Sequence, residues 1–345
     1  MSLTIVPSSC ERGPRLSIVI VNWNSSVFLR ECLRSLEADS IFEWAEVIVI
    51  DNRSEDDSAD MVRQHFPMVR LHVSNENLGY GRGNNYGLQL ATGRYILFLN
   101  PDTVVYPGTI RKMVHYAASH PHVGALSPKL YGSDGKIQYE AAVNLPTIWN
   151  VFCDFLFLSK LFPRSRLFAS RKLGHWDHEQ PREVPAVCGA AMLVRRTALS
   201  RCGAFDPCMF YVEDMDLCLR LRNEGYSVFY LGSVGMTHYG GGSSPKSPAS
   251  YARQRQIGFQ SFWIYRRKHF GSFSAARLSV AIFVWSVLSL AALYLLRIIS
   301  MRKLSLIHQI ELAKSLFRWS LADKMTFTHH LAEPLKARLL NGKAA

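Results

Sequence analysis

The run Tyr95-Ile-Leu-Phe-Leu-Asn-Pro-Asp102 constrains this chain more than any other stretch. Tyr95 to Leu99 are strand-compatible residues without polar alternation, the pattern of a strand buried on both faces. Pro101 has no N–H to offer a neighbouring strand, so the chain must turn there and deliver Asp102 to the carboxyl edge of a sheet. Open α/β sheets hold their ligands at that edge, and a hard carboxylate oxygen there suits a divalent cation bridging phosphates. Asn-Pro-Asp is also ordinary turn chemistry, so its meaning depends on the rest of the chain.

The residues before it repeat the pattern. Leu16–Val21 is an apolar strand ending in Asn22-Trp23-Asn24, and Val27, Leu29, Cys32, Leu33 and Leu36 follow at helical spacing. Val47–Ile50 is a second buried strand ending in Asp51-Asn52, with Asp56 and Asp57 placed to open the next helix. Val69–Val73 is a third strand, and a glycine-rich stretch, Asn75 to Gly87, separates it from Tyr95–Leu99. Strands alternating with helices predict a doubly wound parallel sheet. Gly79, Gly81 and Gly83 follow the third strand rather than the first and lack fingerprint spacing, which disfavours a dinucleotide-binding dehydrogenase. Glycines ahead of a helix still let backbone amides approach a phosphate or sugar.

Beyond residue 120 the pattern turns mixed or antiparallel: Val123–Leu126, then Lys129–Gln138 with a turn at Gly132-Ser-Asp-Gly135. Trp149–Phe162 is aromatic and apolar with only Asp154 and Lys160 charged, and reads either as a membrane-facing loop or as core. Val184–Val194 has a small-residue centre, Cys188-Gly-Ala-Ala191, which permits close approach of a ligand or another backbone.

A second chemically loaded stretch is Phe210 to Arg222. Leu217 and Leu221 mark a helix face and Gly225 its stop, which puts Glu213, Asp214 and Asp216 in the first turn, where acids suit the helix dipole. Carboxylates so close repel one another, and such a cluster raises one pKa toward the range of a general base. After the strand Tyr226–Leu231 comes Thr237 to Ser244, in which His238 precedes the glycine-rich part, an arrangement that suits a metal ligand beside a closing lid.

The formal charge of +13 is confined to the C-terminal part: from Lys246 onward there are sixteen Lys/Arg and three Asp/Glu, and the preceding residues balance. Within that part Leu278–Leu296 carries no charge and is flanked by Arg277 and Arg297. The run meets the ~20-residue length of a spanning helix, and Arg266, Arg267, Lys268, Arg302 and Lys303 suit an anionic membrane surface. Basic residues on both flanks set no orientation; an in-plane or re-entrant helix competes with a full span, and so long an uncharged run ringed by arginine argues against a buried core helix. A basic tail also suits nucleic acid, but the apolar run argues against that partner. Met1 to Pro14 lacks the apolar core of a signal peptide and reads as a flexible N-terminus. Seven cysteines, odd in number and without metal-site spacing, read as reduced and cytosolic.

Taken in order, Ile18 to Asn24, Val49 to Asn52, Asn75 to Gly87, Leu99 to Thr103, Gly189 to Arg195, Phe210 to Arg220 and Tyr265 to Gly271 resemble the family 2 glycosyltransferases of GT-A fold, most nearly the bacterial rhamnosyltransferase-like branch that extends lipid-linked saccharides. The resemblance implies an α/β fold with a GT-A-type doubly wound mixed sheet. Its catalytic domain would cover 15–272, with a nucleotide-binding half over 15–120 and an acceptor-binding half over 121–272. A helical membrane-association region over 273–345 would follow. It implies that Asn22 and Asp51 contact the base and ribose of a nucleotide-sugar donor, with Arg82 and Asn84 on the same side. Asn100 and Asp102 stand at the acid-x-acid motif, where the family often has Asp and this branch Asn at the first position. Asp102 and His238 would hold Mg²⁺ or Mn²⁺, Asp214 would be the catalytic base, and Glu213 its neighbour on the acceptor side.

The implied reaction is inverting transfer of a sugar, preferably L-rhamnose from dTDP-rhamnose, to a hydroxyl of a polyprenyl-diphosphate-linked saccharide at the cytoplasmic face of the plasma membrane. UDP- and GDP-sugars are the alternative donors. A processive synthase would need several spans and a Gln-x-x-Arg-Trp motif absent here. A non-catalytic sugar-binding protein has little need of Glu213, Asp214 and His238 together, and a nucleotidyltransferase fits the motif order poorly.

Overall fold

The computed structural model describes residues 15–240, 248–299 and 304–322. Its strands are β1 (Leu16–Asn22), β2 (Ala45–Asp51), β3 (Arg70–Val73), β4 (Tyr95–Leu99), β5 (Thr103–Val105), β6 (Val123–Tyr131), β7 (Ala142–Val143), β8 (Arg182–Glu183), β9 (Ala186–Val187), β10 (Ala191–Arg195) and β11 (Ser227–His238). The helices are α1 (Ser26–Ala38), α2 (Ser58–His65), α3 (Gly79–Leu90), α4 (Thr109–Ser119), α5 (Ile148–Phe155), α6 (Leu158–Leu161), α7 (Arg196–Cys202), α8 (Glu213–Asn223), α9 (Pro248–Ile299) and α10 (Leu304–Leu321).

The main sheet runs β3-β2-β1-β4-β10-β6-β11-β5, with β8 attached to β11, and β7 and β9 form a separate ribbon. Strands β3, β2, β1 and β4 are parallel, as the alternation of strands and helices predicts. The sheet turns mixed where β10 pairs antiparallel with β4, Ala191 opposite Leu99 and Arg195 opposite Tyr95. All five residues of β4 are buried, in keeping with helices on both faces. Each fully buried Leu, Ile, Val or Phe in this core contributes ~1.5–3 kcal/mol.

Register lines up one edge. Asn22 pairs with Asp51, Ile20 with Leu99, and the first residue of the antiparallel β10 meets the last residue of β4. The C-terminal ends of three parallel strands and the entry to β10 therefore share a rim. Arg195, at the far end of β10 and 7% exposed, donates to the carbonyls of Ala117, His120 and Val123 and to the Tyr95 hydroxyl. It locks α4 and β6 against the middle of the sheet, so the last residue of the Gly189–Arg195 motif is structural.

The glycine-rich stretch differs from expectation. Most of it is not a loop ahead of a helix but α3 itself. A Cβ at Gly87 would lie 2.3 Å from Cγ1 of Val19, so this glycine lets the helix backbone rest directly on β1.

At the C-terminal end, α9 breaks at Gly271, where φ is 81°. Both parts of α9 and α10 pack round a second cluster that joins Met209 and Val212 to Phe262, Tyr265, Leu278, Ile282 and Trp319. Leu278, Ile282 and Ser286 are buried, whereas Phe273, Val280 and Leu288 are 77%, 62% and 64% exposed. Among the described residues this is the one helix long and apolar enough to cross a membrane.

Candidate active site

Three groups of side chains meet at the shared rim. The first is at the ends of β1 and β2. Asn22 Nδ2 donates to Asp51 Oδ2 at 3.1 Å and to Ser54 Oγ at 3.2 Å, Ser25 donates to Asn22 Oδ1, and the Ser54 N–H donates to Asp51 Oδ1. Both residues are buried, and each turn is tied to the other strand's end group. Of the two α3 residues the resemblance adds, Arg82 pairs with Glu76 at 2.9 Å, and Asn84, 1% exposed, donates to the Tyr80 carbonyl of its own helix. Neither is hydrogen-bonded to the Asn22–Asp51 pair among the described residues.

The second group follows β4. Asp102 Oδ1 lies 3.3 Å from His238 Nε2, and Asn100 Nδ2 lies 3.3 Å from the same nitrogen. The N–H of Gly240 donates to Asp102 Oδ2. Burial works to raise the Asp102 carboxyl, but the hydrogen bond and charge of His238 and the Gly240 N–H outweigh it and hold the group below its ordinary range. The other ring nitrogen, Nδ1, is 2.8 Å from Gln138 Oε1, and Gln138 Nε2 donates to the His238 carbonyl at 2.7 Å. That pair of bonds fixes the Gln138 amide with its oxygen toward the ring, so Nδ1 carries the proton. Nε2, beside Asp102 Oδ1 and Asn100 Nδ2, is then the ring atom open to a divalent cation.

Among the described residues no three His, Cys, Asp or Glu side chains gather as a metal group. One carboxylate, one imidazole nitrogen and the Asn100 amide oxygen still fit a divalent cation that would take its remaining ligands from diphosphate oxygens and water, the nitrogen suiting Mn²⁺ better than the oxygen-preferring Mg²⁺. The Gln138 contact is the kind of outer partner that orients a metal-binding histidine. Of the stretch Thr237 to Ser244 expected to close over this site, residues 241–244 lie outside the described residues.

The third group is the first turn of α8. Asp214 accepts the Gly189 N–H at Oδ2, 3.0 Å, and the Met215 N–H at Oδ1, 2.8 Å. The next residue, Ala190, accepts the Asn100 N–H at 2.8 Å. Adjacent residues of one turn thus bind the acid of α8 and the start of the Asn100–Asp102 turn, which places the two groups on neighbouring parts of the rim. Tyr80 Oη donates to Gly189 O at 2.7 Å, and a Cβ at Gly189 would lie 2.5 Å from that hydroxyl. The space left by Gly189 is thus filled by the Tyr80 side chain rather than by another backbone.

The three acids divide their roles. Glu213 is 7% exposed with Oε2 lacking a hydrogen-bond partner, and burial, then the Asp214 charge, push it up to about 8. Asp214, half-buried, is also raised by burial, against the pull of its two N–H donors. Asp216 does not join them. It faces Arg220 at 2.7 Å, His269 at 2.7 Å and Lys268 at 3.0 Å. Burial would raise it, but His269, Arg220 and Lys268 draw it down to about 2. The mutual repulsion of three acids expected from spacing alone is therefore confined to two.

Sequence reasoning missed Gln138, Tyr80 and the Asp216 latch. Gln138 is one hundred residues from its histidine and carries no local motif. His269 and Lys268 were visible only as part of a basic, aromatic motif.

A doubly wound sheet turned mixed at its fourth strand, with an acid-bearing turn after that strand and an acidic helix start beside it, defines a GT-A glycosyltransferase. The chain belongs to glycosyl transferase family 2, whose model matches residues 17–203. It is 29% identical over 250 residues to the N-acetylglucosaminyl-diphospho-decaprenol L-rhamnosyltransferase of Mycobacterium tuberculosis, covering 68% of this chain and 80% of that one. It is 26% identical over 235 residues to rhamnosyltransferase WbbL of Escherichia coli, covering 64% and 82%. Among solved structures it resembles the mannosyltransferase PcManGT from Pyrobaculum calidifontis, determined with GDP-Man and Mn²⁺, at a TM-score of 0.50 and 18% identity over 96% of this chain and 80% of that one. The expectation of a family 2 enzyme of GT-A fold, similar to rhamnosyltransferases, is borne out.

Proposed function

We propose that this enzyme transfers L-rhamnose from dTDP-rhamnose to a hydroxyl of a polyprenyl-diphosphate-linked saccharide, with inversion at the anomeric carbon, on the cytoplasmic face of the plasma membrane. The observation that carries the reading is the placement of Asp214. Backbone N–H groups fix its carboxylate, and Ala190, the residue after its partner Gly189, binds the backbone of Asn100. The sugar and the lipid-diphosphate acceptor are those in the mycobacterial relative's name, and dTDP-rhamnose is the donor that the family resemblance implies.

In this reading Asn22 and Asp51 take the base and ribose side of the nucleotide, with Arg82 and Asn84 behind them on α3. Asp102 and His238, with the Asn100 amide, hold Mg²⁺ or Mn²⁺, which supplies positive charge to the departing diphosphate. Asp214 takes the proton of the acceptor hydroxyl as its oxygen bonds to the anomeric carbon. The nucleoside diphosphate leaves from the opposite face with the electrons of the broken C–O bond. A single displacement of this kind requires no enzyme nucleophile. Glu213, raised to about 8 by burial and by the Asp214 charge, stands beside Asp214 on the acceptor side. The exposed face of α9 and the basic residues round it would hold the enzyme at an anionic bilayer, where the acceptor resides.

The direct test is transfer of labelled sugar to a polyprenyl-diphosphate N-acetylglucosamine from dTDP-rhamnose, UDP-sugars and GDP-sugars in parallel. Product from dTDP-rhamnose alone, with the anomeric configuration opposite to the donor's, supports the reading. Retention of configuration would sink the mechanism, and product from a UDP- or GDP-sugar alone would replace the donor.

A further inference from the structure

An apolar, basic prominence lies outside both the rim and the long C-terminal helix. Between α5 and α6 the chain turns through Phe157 in the left-handed region, φ 60°, with no glycine to ease it. Leu156, Phe157, Leu161, Phe162 and Leu167 are 49%, 51%, 69%, 46% and 57% exposed. Large apolar side chains scattered singly over a surface are ordinary, but this many in one short segment form a patch that calls for a partner.

The charges round it are of one sign. From Phe155 to Trp176 the sequence holds Lys160, Arg164, Arg166, Arg171 and Lys172 and no acid. Arg171 and Lys172 are engaged with Asp154 and Glu140, whereas Lys160, Arg164 and Arg166 are exposed and form no ion pair among the described residues. Exposed leucine and phenylalanine among unpaired Lys and Arg are the composition of an element lying in the interface of an anionic bilayer. A protein partner fits less well, since protein interface cores are depleted in lysine and bury their apolar anchors in a cavity of the partner.

The prominence is held firmly. Thr147 and Asn150 cap α5 reciprocally, and the inner side chains Ile148 and Val151 pack on the cluster that contains Leu278 and Ile282 of α9. The exposed faces of α5–α6 and of α9 therefore grow from one small core.

We propose that Leu156–Leu167 is a second lipid-contacting element, which inserts its apolar side chains at the headgroup level of an anionic membrane while Lys160, Arg164 and Arg166 bind lipid phosphates. The proposal rests on the reading that the acceptor is membrane-borne, and adds to it a contact that does not depend on the long helix. Two contacts growing from one core would fix the enzyme's tilt on the bilayer as well as its attachment.

Hydrogen exchange on the full chain, with and without vesicles of phosphatidylcholine and phosphatidylglycerol, separates the two contacts. Slowed exchange over 156–167 on adding anionic vesicles supports the proposal, whether or not 273–294 is also slowed. Slowing at 273–294 alone overturns it and leaves the long helix as the sole anchor. Slowing at neither, in protein that does not sediment with vesicles, overturns both. Slowing at 156–167 that follows protein concentration without vesicles assigns the patch to a second copy of the chain and also overturns it. Independently, Lys160→Glu, Arg164→Glu and Arg166→Glu combined should lower the partition coefficient for anionic vesicles about tenfold or more. These side chains are exposed, so the circular dichroism of the variant should match wild type; a folded variant that partitions as wild type refutes the proposal.

Discussion

Asp216→Asn tests the division of labour among the α8 acids. The Asp216 carboxylate is fully buried, with Oδ2 on Arg220 and Oδ1 on His269 and Lys268. Its folded pKa is drawn from 3.8 to about 2, and at ~1.4 kcal/mol per unit that difference corresponds to about 2.5 kcal/mol of stability. Because the folded value is the lower one, this contribution is present above pH 3.8 and is lost as pH falls toward 2. Asparagine keeps the shape and removes the charge, and leaves Arg220 and Lys268, 14% and 32% exposed, facing an amide. Removing one partner of a buried pair costs ~3–5 kcal/mol when the remaining charge is sealed from water. Partial access to water here lowers the expected cost to roughly 2–4 kcal/mol. In a chain of 345 residues that is a Tm decrease of roughly 3–6 °C. Urea and thermal unfolding at pH 7 should show that loss, and the gap to wild type should narrow as pH falls toward 2. Turnover per folded molecule should stay within about threefold. A variant as stable as wild type but unable to transfer sugar would move Asp216 from the scaffold into the chemistry.

Two further outcomes follow from the same geometry. Gln138→Ala should weaken Mn²⁺ binding to the free enzyme ~10–100-fold, measured by calorimetry, because His238 loses the partner that sets its tautomer; unchanged affinity would mean that His238 binds no metal. Glu213 has a folded value of about 8 against an ordinary 4.5, so the unfolded chain ionises first and wild type should lose stability as pH rises between them. Glu213→Gln should flatten that decline, so that its Tm exceeds that of wild type at pH 8 and matches it near pH 4.5; parallel Tm profiles would contradict the assignment of a buried, protonated Glu213.

What the sequence revealed was local in origin. The largely apolar runs of β1, β2 and β4, which end in Asn22-Trp23-Asn24, Asp51-Asn52 and Asn100-Pro101-Asp102, announce buried parallel strands and a polar rim, because hydrophobic pattern and strand termination are written in consecutive residues. The capture of α3 by β1 was not legible. Glycines at 79, 83 and 87 read equally as a phosphate loop, and only the tertiary contact, which leaves a Gly87 Cβ just 2.3 Å from Val19, marks the last of them as a packing glycine. The acids of α8 were visible as a cluster, but their separate environments were not. Asp216 is set apart by Lys268 and His269, more than fifty residues away, and Asp214 by the backbone of Gly189. Partners brought in by tertiary contact leave no periodic trace, so they escape a reading from spacing.

The most direct measurement is single-turnover transfer by Asp214→Asn, with donor binding followed separately by calorimetry. Asparagine keeps one of the two backbone contacts at its carbonyl oxygen and loses the other, because Gly189 and Met215 bond to different oxygens of Asp214, and it accepts no proton from the acceptor. Transfer should fall ~10²–10⁴-fold, with donor affinity within a few-fold of wild type. Transfer at near the wild-type rate by the folded variant would contradict Asp214 as the base.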